Sequence, residues 1–493
     1  MDIFSWIVQP FTGLYVGTLF AYLCIISIFL LIGKFLRVQI SFFQKILLPA
    51  SVIAGFIGLF CGPSILGNII NNDNFVAILE IIRVGFGTLP VRLIDVVFAT
   101  MFLGIALPKV GEIVHNSGPL LGYAMIVGGP MQHALAGLLT LIVLMPLFHI
   151  DPTFGTILEI GFAGGHGTAG GMMDLFKNGI PEIGWSFPAG ADLALTSATV
   201  GILTSTIGGI ILINMAARRG YTKILEKPQE LPDEIRVGII PPAKRYPISN
   251  ATVSSESIEP LAFHFAIIFI SMLIGYLLDA MLARTGIFLK QITGNIYIGA
   301  ALNAIPTFPL CMLGGMIVQL VFMKCKISYL IDRQSIERLQ GLALEILVAS
   351  AIASISIPVL IKYALPFSIL MVVGIAYIVT VTWFIAPRIL SGSWFEKSIV
   401  EFGMQTGVTA MGIMLLRVVD PHFKTEASQA FAFKQLIYEP FFGGGFITAL
   451  TPILILMWGL KTFVVVMFLF GLVFGVIIPY FAGCFHKRLE PYR

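Results

Sequence analysis

The sequence predicts an all-α polytopic membrane protein built as two inverted five-helix repeats, each with a re-entrant hairpin, plus an extra C-terminal span. Three observations carry that prediction. Hydrophobic residues fill 57% of the 493 positions and charged residues 11%, with a mean hydropathy of +0.95, far from the range of soluble domains. The apolar runs of the second half repeat those of the first in outline. Basic residues also crowd one side of the topology these runs create.

Taken in order, apolar spans fall at about 14–33, 46–63, 93–108, 118–148 and 187–215, then at 260–282, 297–323, 339–361, 363–386 and 433–458, with an extra one at 462–484. Asp2, and no basic residue, precedes the first run, so it reads as a retained span and not a cleaved leader. Between the two sets, residues 216–259 carry RR, KPQELPDE and PPAKRYP. That composition cannot bury enough apolar surface to form a core and reads as a linker. The chain thus divides into a first repeat (1–215, hairpin 155–176), the linker (216–259), a second repeat (260–458, hairpin 395–417) and a final helix with its tail (459–493). The five cysteines lie in or beside apolar runs without C-x-x-C spacing and read as small core residues.

Five spans before the linker, an odd number, turn the second half upside down relative to the first. Of the 30 Lys and Arg, 23 then fall on one side, including the linker, Arg333, Arg338 and Lys434, and 7 on the other. The bias places the N-terminus outside and the linker and C-terminus in the cytoplasm, as expected for a bacterial inner (cytoplasmic) membrane protein.

The first hairpin is read from GGHGTAGG, Gly164–Gly171, between apolar flanks at 156–163 and 172–176. Each flank is too short to cross ~30 Å of hydrocarbon at ~1.5 Å per residue. FGMQTGVTAMG, Phe402–Gly412, occupies the corresponding place in the second half. At each tip a half-helix begins, whose free N–H groups and positive dipole end suit a carboxylate, while unwound carbonyls and hydroxyls suit sodium. The candidate substrate contacts are Gly164, Gly165, His166, Gly167, Thr168 and Ala169 at the first tip, and Gln405, Thr406, Gly407 and Thr409 at the second. Small residues that only let helices pack closely are the plainer alternative.

His166 is a candidate proton carrier or substrate contact, and a neutral imidazole bonded to the hairpin backbone is the simpler reading. For sodium the candidates are Thr168, Ser197 and Thr199, with Asp192 supplying charge either within its span or at the external water boundary. Arg417, at the end of MGIMLLR, is carried as a candidate substrate contact, and snorkelling to the cytoplasmic surface is the simpler reading of its place at the end of the arm. Gln132 and His133, like Asn303, Pro306 and Pro309, read as marks of kinks or inter-span contacts and not as ligands.

GGHGTA followed by ATVG at Ala198–Gly201 resembles the glutamate:sodium symporter family, and the resemblance extends over both halves. The second tip departs from it, with fewer glycines, as do the extra final span and the long linker. The resemblance implies a secondary transporter of glutamate or a related acidic amino acid, driven by sodium as coupling ion. It also implies a homodimer with a moving transport unit in the lipid bilayer. No other cofactor, and no nucleic acid, is expected. Transport of another organic anion, or sodium/proton antiport with Asp192 as the carboxylate, stands as the alternative. An enzyme is not expected, since neither H-E-x-x-H nor G-x-S-x-G occurs.

Overall fold

The computed structural model describes residues 16–105, 110–225, 234, 237–294 and 296–485. The start of the first span at residue 14, most of the middle of the linker (226–233, 235, 236) and the C-terminal tail at 486–493 lie outside the described residues. Among the described residues the architecture is helical, and nine helical segments are long and apolar enough to cross a membrane. Helix is the expected answer for such runs, because every backbone N–H and C=O in hydrocarbon needs a partner within the segment.

In chain order the principal helices are α1 (Val16–Gln39), α2 (Ala50–Phe60), α3 (Asp73–Ala99), α4 (Val110–Val127), α5 (Gly129–Leu139), α6 (Ile157–Phe162), α7 (Gly165–Gly171), α8 (Met173–Asn178), α9 (Ala189–Leu203) and α10 (Gly209–Arg218). Beyond the linker come α11 (Pro260–Thr293), α12 (Thr307–Lys324), α13 (Arg333–Ala353), α14 (Ala364–Thr380), α15 (Trp394–Val419), α16 (Ala427–Tyr438), α17 (Phe446–Trp458) and α18 (Leu460–Leu472).

Several expected bounds are corrected. The span read at 93–108 is the C-terminal part of α3, which begins twenty residues earlier, where Asn72 Oδ1 accepts from Phe75 N (3.1 Å). Glu80, Arg83, Arg92 and Asp95 hid it from a hydropathy reading. The structure pairs Glu80 with Arg83 (2.8 Å) and gives buried Asp95 bonds from Tyr276 (3.0 Å) and Thr307 (3.1 Å). For the same reason the span read at 339–361 begins earlier, at Arg333, and the helix ends at Ala353, before Ser354. The single span expected at 433–458 is two helices, α16 and α17, parted by EPFFGGG, where Gly443 and Gly444 take positive φ (+72° and +105°). The span at 118–148 is broken at Gly128, where a Cβ would lie 2.2 Å from Tyr438 Oη. Of the cysteines, only Cys311 is buried, and Cys24 and Cys325 are exposed.

Two arginines tie the halves reciprocally. Arg333, opening α13, donates to the carbonyls of Thr100 and Leu103 (both 2.9 Å) just past the end of α3, and Arg83 of α3 donates to Ser354 O (2.8 Å) just past the end of α13. Cations at helix C-termini satisfy orphan carbonyls and the dipole together. Close packing supports this core. Gly55 of α2 lies against Ile352, and Gly315 of α12 leaves only 2.1 Å between a built Cβ and Ala99 O. The C-terminal α18 packs on α5, with Val464 over Gly137 and Met131 against Gly471. The described end of the linker lies along the 328–332 turn, where Thr252 Oγ1 donates to Leu330 O (2.7 Å).

Candidate functional site

The chain reverses twice among buried residues. Phe154, before α6, and Phe176, at the end of α8, both pack on Phe187 (6.3 and 6.2 Å between ring centroids). Between them the chain reaches Phe162, beside Gly201, and turns at Gly165, whose φ of +67° an L side chain rarely adopts. Within α15 the helix breaks at Gly407 and Val408. Gly403 and Gly412, on either side of that break, touch, with a Cβ on Gly403 falling 2.6 Å from Gly412 Cα. Nine residues of straight helix would hold those atoms ~13 Å apart, so the two arms of α15 lie side by side.

The two breaks meet. A Cβ built on Gly165 falls 2.3 Å from Val408 Cγ1. Val408 itself has φ +66°, an uncommon conformation for a β-branched residue. Beside them opens a cavity of about 490 Å³ that runs along α13 from Val348 to Arg333. Gly165, His166, Val408, Thr409, Gln435 and Glu439 line it at the tips. The first N–H groups of α7, and of the half of α15 that starts at Thr409, have no partner within their own helices, so two positive helix ends converge there.

Buried polar bonds brace both breaks. Glu159, fully buried in α6, accepts from Gly443 N and Thr448 Oγ1 (both 2.9 Å) and faces His133 Nε2 at 3.1 Å. Gln132 Nε2 donates to the carbonyl of Gln405 (3.2 Å). Gln405 Nε2 in turn donates to Glu401 Oε1 (2.7 Å), and Glu401 pairs with Lys434 at 2.8 Å. Thr409 Oγ1 donates to Glu439 Oε1 (3.1 Å) and accepts from Gln435 Nε2 (2.6 Å).

The structure brings Gly164, Gly165, His166, Gly167 and Thr409 to the cavity wall, whereas Thr168, Ala169, Gln405, Thr406 and Gly407 are buried and do not line it. Thr168 Oγ1, Ser197 Oγ and Gln405 Oε1 are buried with no hydrogen-bond partner among the described residues. His166 Nε2 bonds Thr199 Oγ1 (3.0 Å), a side chain of α9 and not the hairpin backbone expected. Thr199 Oγ1 also donates to Leu195 O (3.0 Å), which makes the imidazole the donor of the pair. Asp192 does not join the tips; it accepts from Ser356 N (2.8 Å) at the far end of α9. Arg417 is exposed over the Phe423 ring and does not line the cavity.

Sequence reasoning missed Glu159, Glu401, Lys434, Gln435 and Glu439, and set Gln132 and His133 aside. Charged residues within or beside apolar helices were the available signal. Lys434, counted among cytoplasmic basic residues, is fully buried in its pair with Glu401.

No curated protein and no solved structure matches the chain. The family model of the sodium/glutamate symporters matches residues 17–425, from α1 through both chain reversals to the turn before α16. The chain belongs to the sodium/glutamate symporter family.

Proposed function

We propose that the protein is a sodium-coupled symporter of glutamate or a related acidic amino acid, working by alternating access in two inverted repeats. In this reading the two chain reversals are re-entrant hairpins, the first entering from outside and the second from the cytoplasm. The observation that carries it is the meeting of Gly165 and Val408 beside a cavity of about 490 Å³, within the size of small-molecule sites, roughly 300–1,000 Å³. A diacid presents two carboxylates, and two opposed helix N-termini offer N–H donors and positive dipole ends to both. Glu439, on the cavity wall with Thr409 and Gln435, is the acceptor for the α-ammonium group. Sodium takes the unpartnered oxygens of Thr168 and Ser197, with tip carbonyls completing its shell.

Arg333 and Glu337 line the cavity, and the basic-residue bias assigns their side to the cytoplasm, so the structure is read as inward-facing. The homodimer and the bacterial inner membrane belong to the same proposal. Other organic anions, and sodium/proton antiport, are outcomes of its test.

The test is uptake of radiolabelled glutamate into proteoliposomes with and without an inward sodium gradient. Aspartate and glutarate serve as unlabelled competitors, and internal pH is monitored. Sodium-dependent uptake that aspartate or glutamate inhibits and glutarate does not is the expected result. Uptake indifferent to sodium, or sodium-driven proton efflux without glutamate, overturns the reading.

A further inference from the structure

We propose that the Lys434 ammonium is a tethered cation that fills a built cation site beside the first arm of the second hairpin, standing where a mobile coupling ion would otherwise bind. This inference rests on the symporter reading for its functional meaning. Lys434 Nζ lies 2.8 and 3.1 Å from the two carboxylate oxygens of Glu401 and 2.5 Å from Gln435 Oε1. The ring centroids of Tyr438 and Phe431 lie 4.6 and 4.8 Å away. A carboxylate, an amide oxygen and two aromatic faces are groups that recognise a cation by charge, lone pair and quadrupole. Lys434 and Glu401 are both fully buried.

Taking both charges of such a pair out of water opposes folding, and an apolar pair of similar volume is often as stable, so stability alone does not account for it. Its connections point to the transport machinery instead. Glu401 accepts from Gln405 Nε2 (2.7 Å), and Gln405 offers its carbonyl to Gln132 (3.2 Å), one turn from the break at Gly407. Gln435, which accepts from Lys434, also donates to Thr409 and Glu439 on the cavity wall. Lys434 itself does not line the cavity, which makes it a neighbour of the tips and not a substrate contact. A covalently held ammonium keeps Glu401 neutralised through every conformational cycle and never dissociates. The site therefore contributes one fixed charge and adds no ion to the coupling ratio.

Removing the tether while leaving the acceptors should expose an ion-binding site. Lys434→Met vacates the position and leaves Glu401, Gln435 and the rings; Glu401→Gln with Lys434→Met removes the charge as well. The purified full-length proteins are melted in choline, sodium, potassium and lithium chlorides at constant ionic strength. Lys434→Met should gain a saturable rise of ~4 °C or more in one alkali cation over choline, beyond any response of the unchanged protein. The double variant should lack that gain. In proteoliposomes, the reversal potential of Lys434→Met should shift to one more cation per substrate.

A Lys434→Met protein with the same cation response as the parent overturns the proposal, as does a gain that persists in the double variant. If Lys434→Met folds only when an alkali cation is present, the site is supported. If it is misfolded in every salt while the double variant folds, no mobile ion can replace the ammonium and the proposal fails. Melting needs no transport, so a parent protein that fails to take up glutamate would sink the functional reading and leave this test standing.

Discussion

Gly165→Ala places a methyl group where the two tips touch, and its cost can be built from the geometry. The backbone there has φ +67°, a left-handed conformation that costs an alanine ~1–2 kcal/mol relative to glycine. The new Cβ would stand 2.3 Å from Val408 Cγ1, whereas apolar carbons rest at about 3.5–4.0 Å, so the tips must part by over ~1 Å. Overpacking of that kind costs ~1–3 kcal/mol. The sum, ~2–5 kcal/mol, falls on the arrangement that forms the pocket, so glutamate affinity should fall ~30-fold or more. Adding Val408→Ala removes the clashing carbons but not the backbone strain. It should recover ~1–3 kcal/mol of the loss, a coupling energy read from a double-mutant cycle by calorimetric titration of purified protein. Normal affinity in Gly165→Ala, or additivity of the two substitutions, would refute the claim that the tips meet at the substrate.

Two further outcomes follow from the same structure. Single cysteines at exposed Lys177 and Ser254 should label from opposite membrane faces with an impermeant maleimide, and labelling of both from one face would overturn the inverted arrangement. Asp192→Asn weakens a charge-assisted bond to Ser356 N (2.8 Å) and should cost ~1 kcal/mol of stability while leaving the sodium dependence of uptake unchanged; a raised sodium requirement would return Asp192 to the ion site.

Much of the candidate site was legible because it is written locally. The glycines of GGHGTAGG, and Gly407 within MQTGVTAMG, mark places where a helix can stop inside an apolar region, and the breaks fall at Gly165 and at Gly407–Val408. EPFFGGG carried a comparable signal at Gly443 and Gly444, but lay inside an apolar stretch long enough to pass for one span. Hydropathy misplaced α3 and α13 for the opposite reason, since charges that the fold neutralises in pairs look, in a window, like loop.

Composition and span count by themselves determined the all-helical membrane class, because hydrocarbon leaves an apolar chain few other ways to satisfy its backbone. Glycine placement determined where helices break, since backbone freedom belongs to the residue. Which charges are partners was decided only by tertiary structure. Glu401 and Lys434 are 33 positions apart, and Glu159 meets Gly443 N across 284. Neither separation is a helical repeat, so no local pattern announces the pairs. Burial converts the same lysine from a cytoplasmic anchor into a cation inside the protein, because an ammonium leaves water only where a carboxylate, an amide oxygen and ring faces already wait for it.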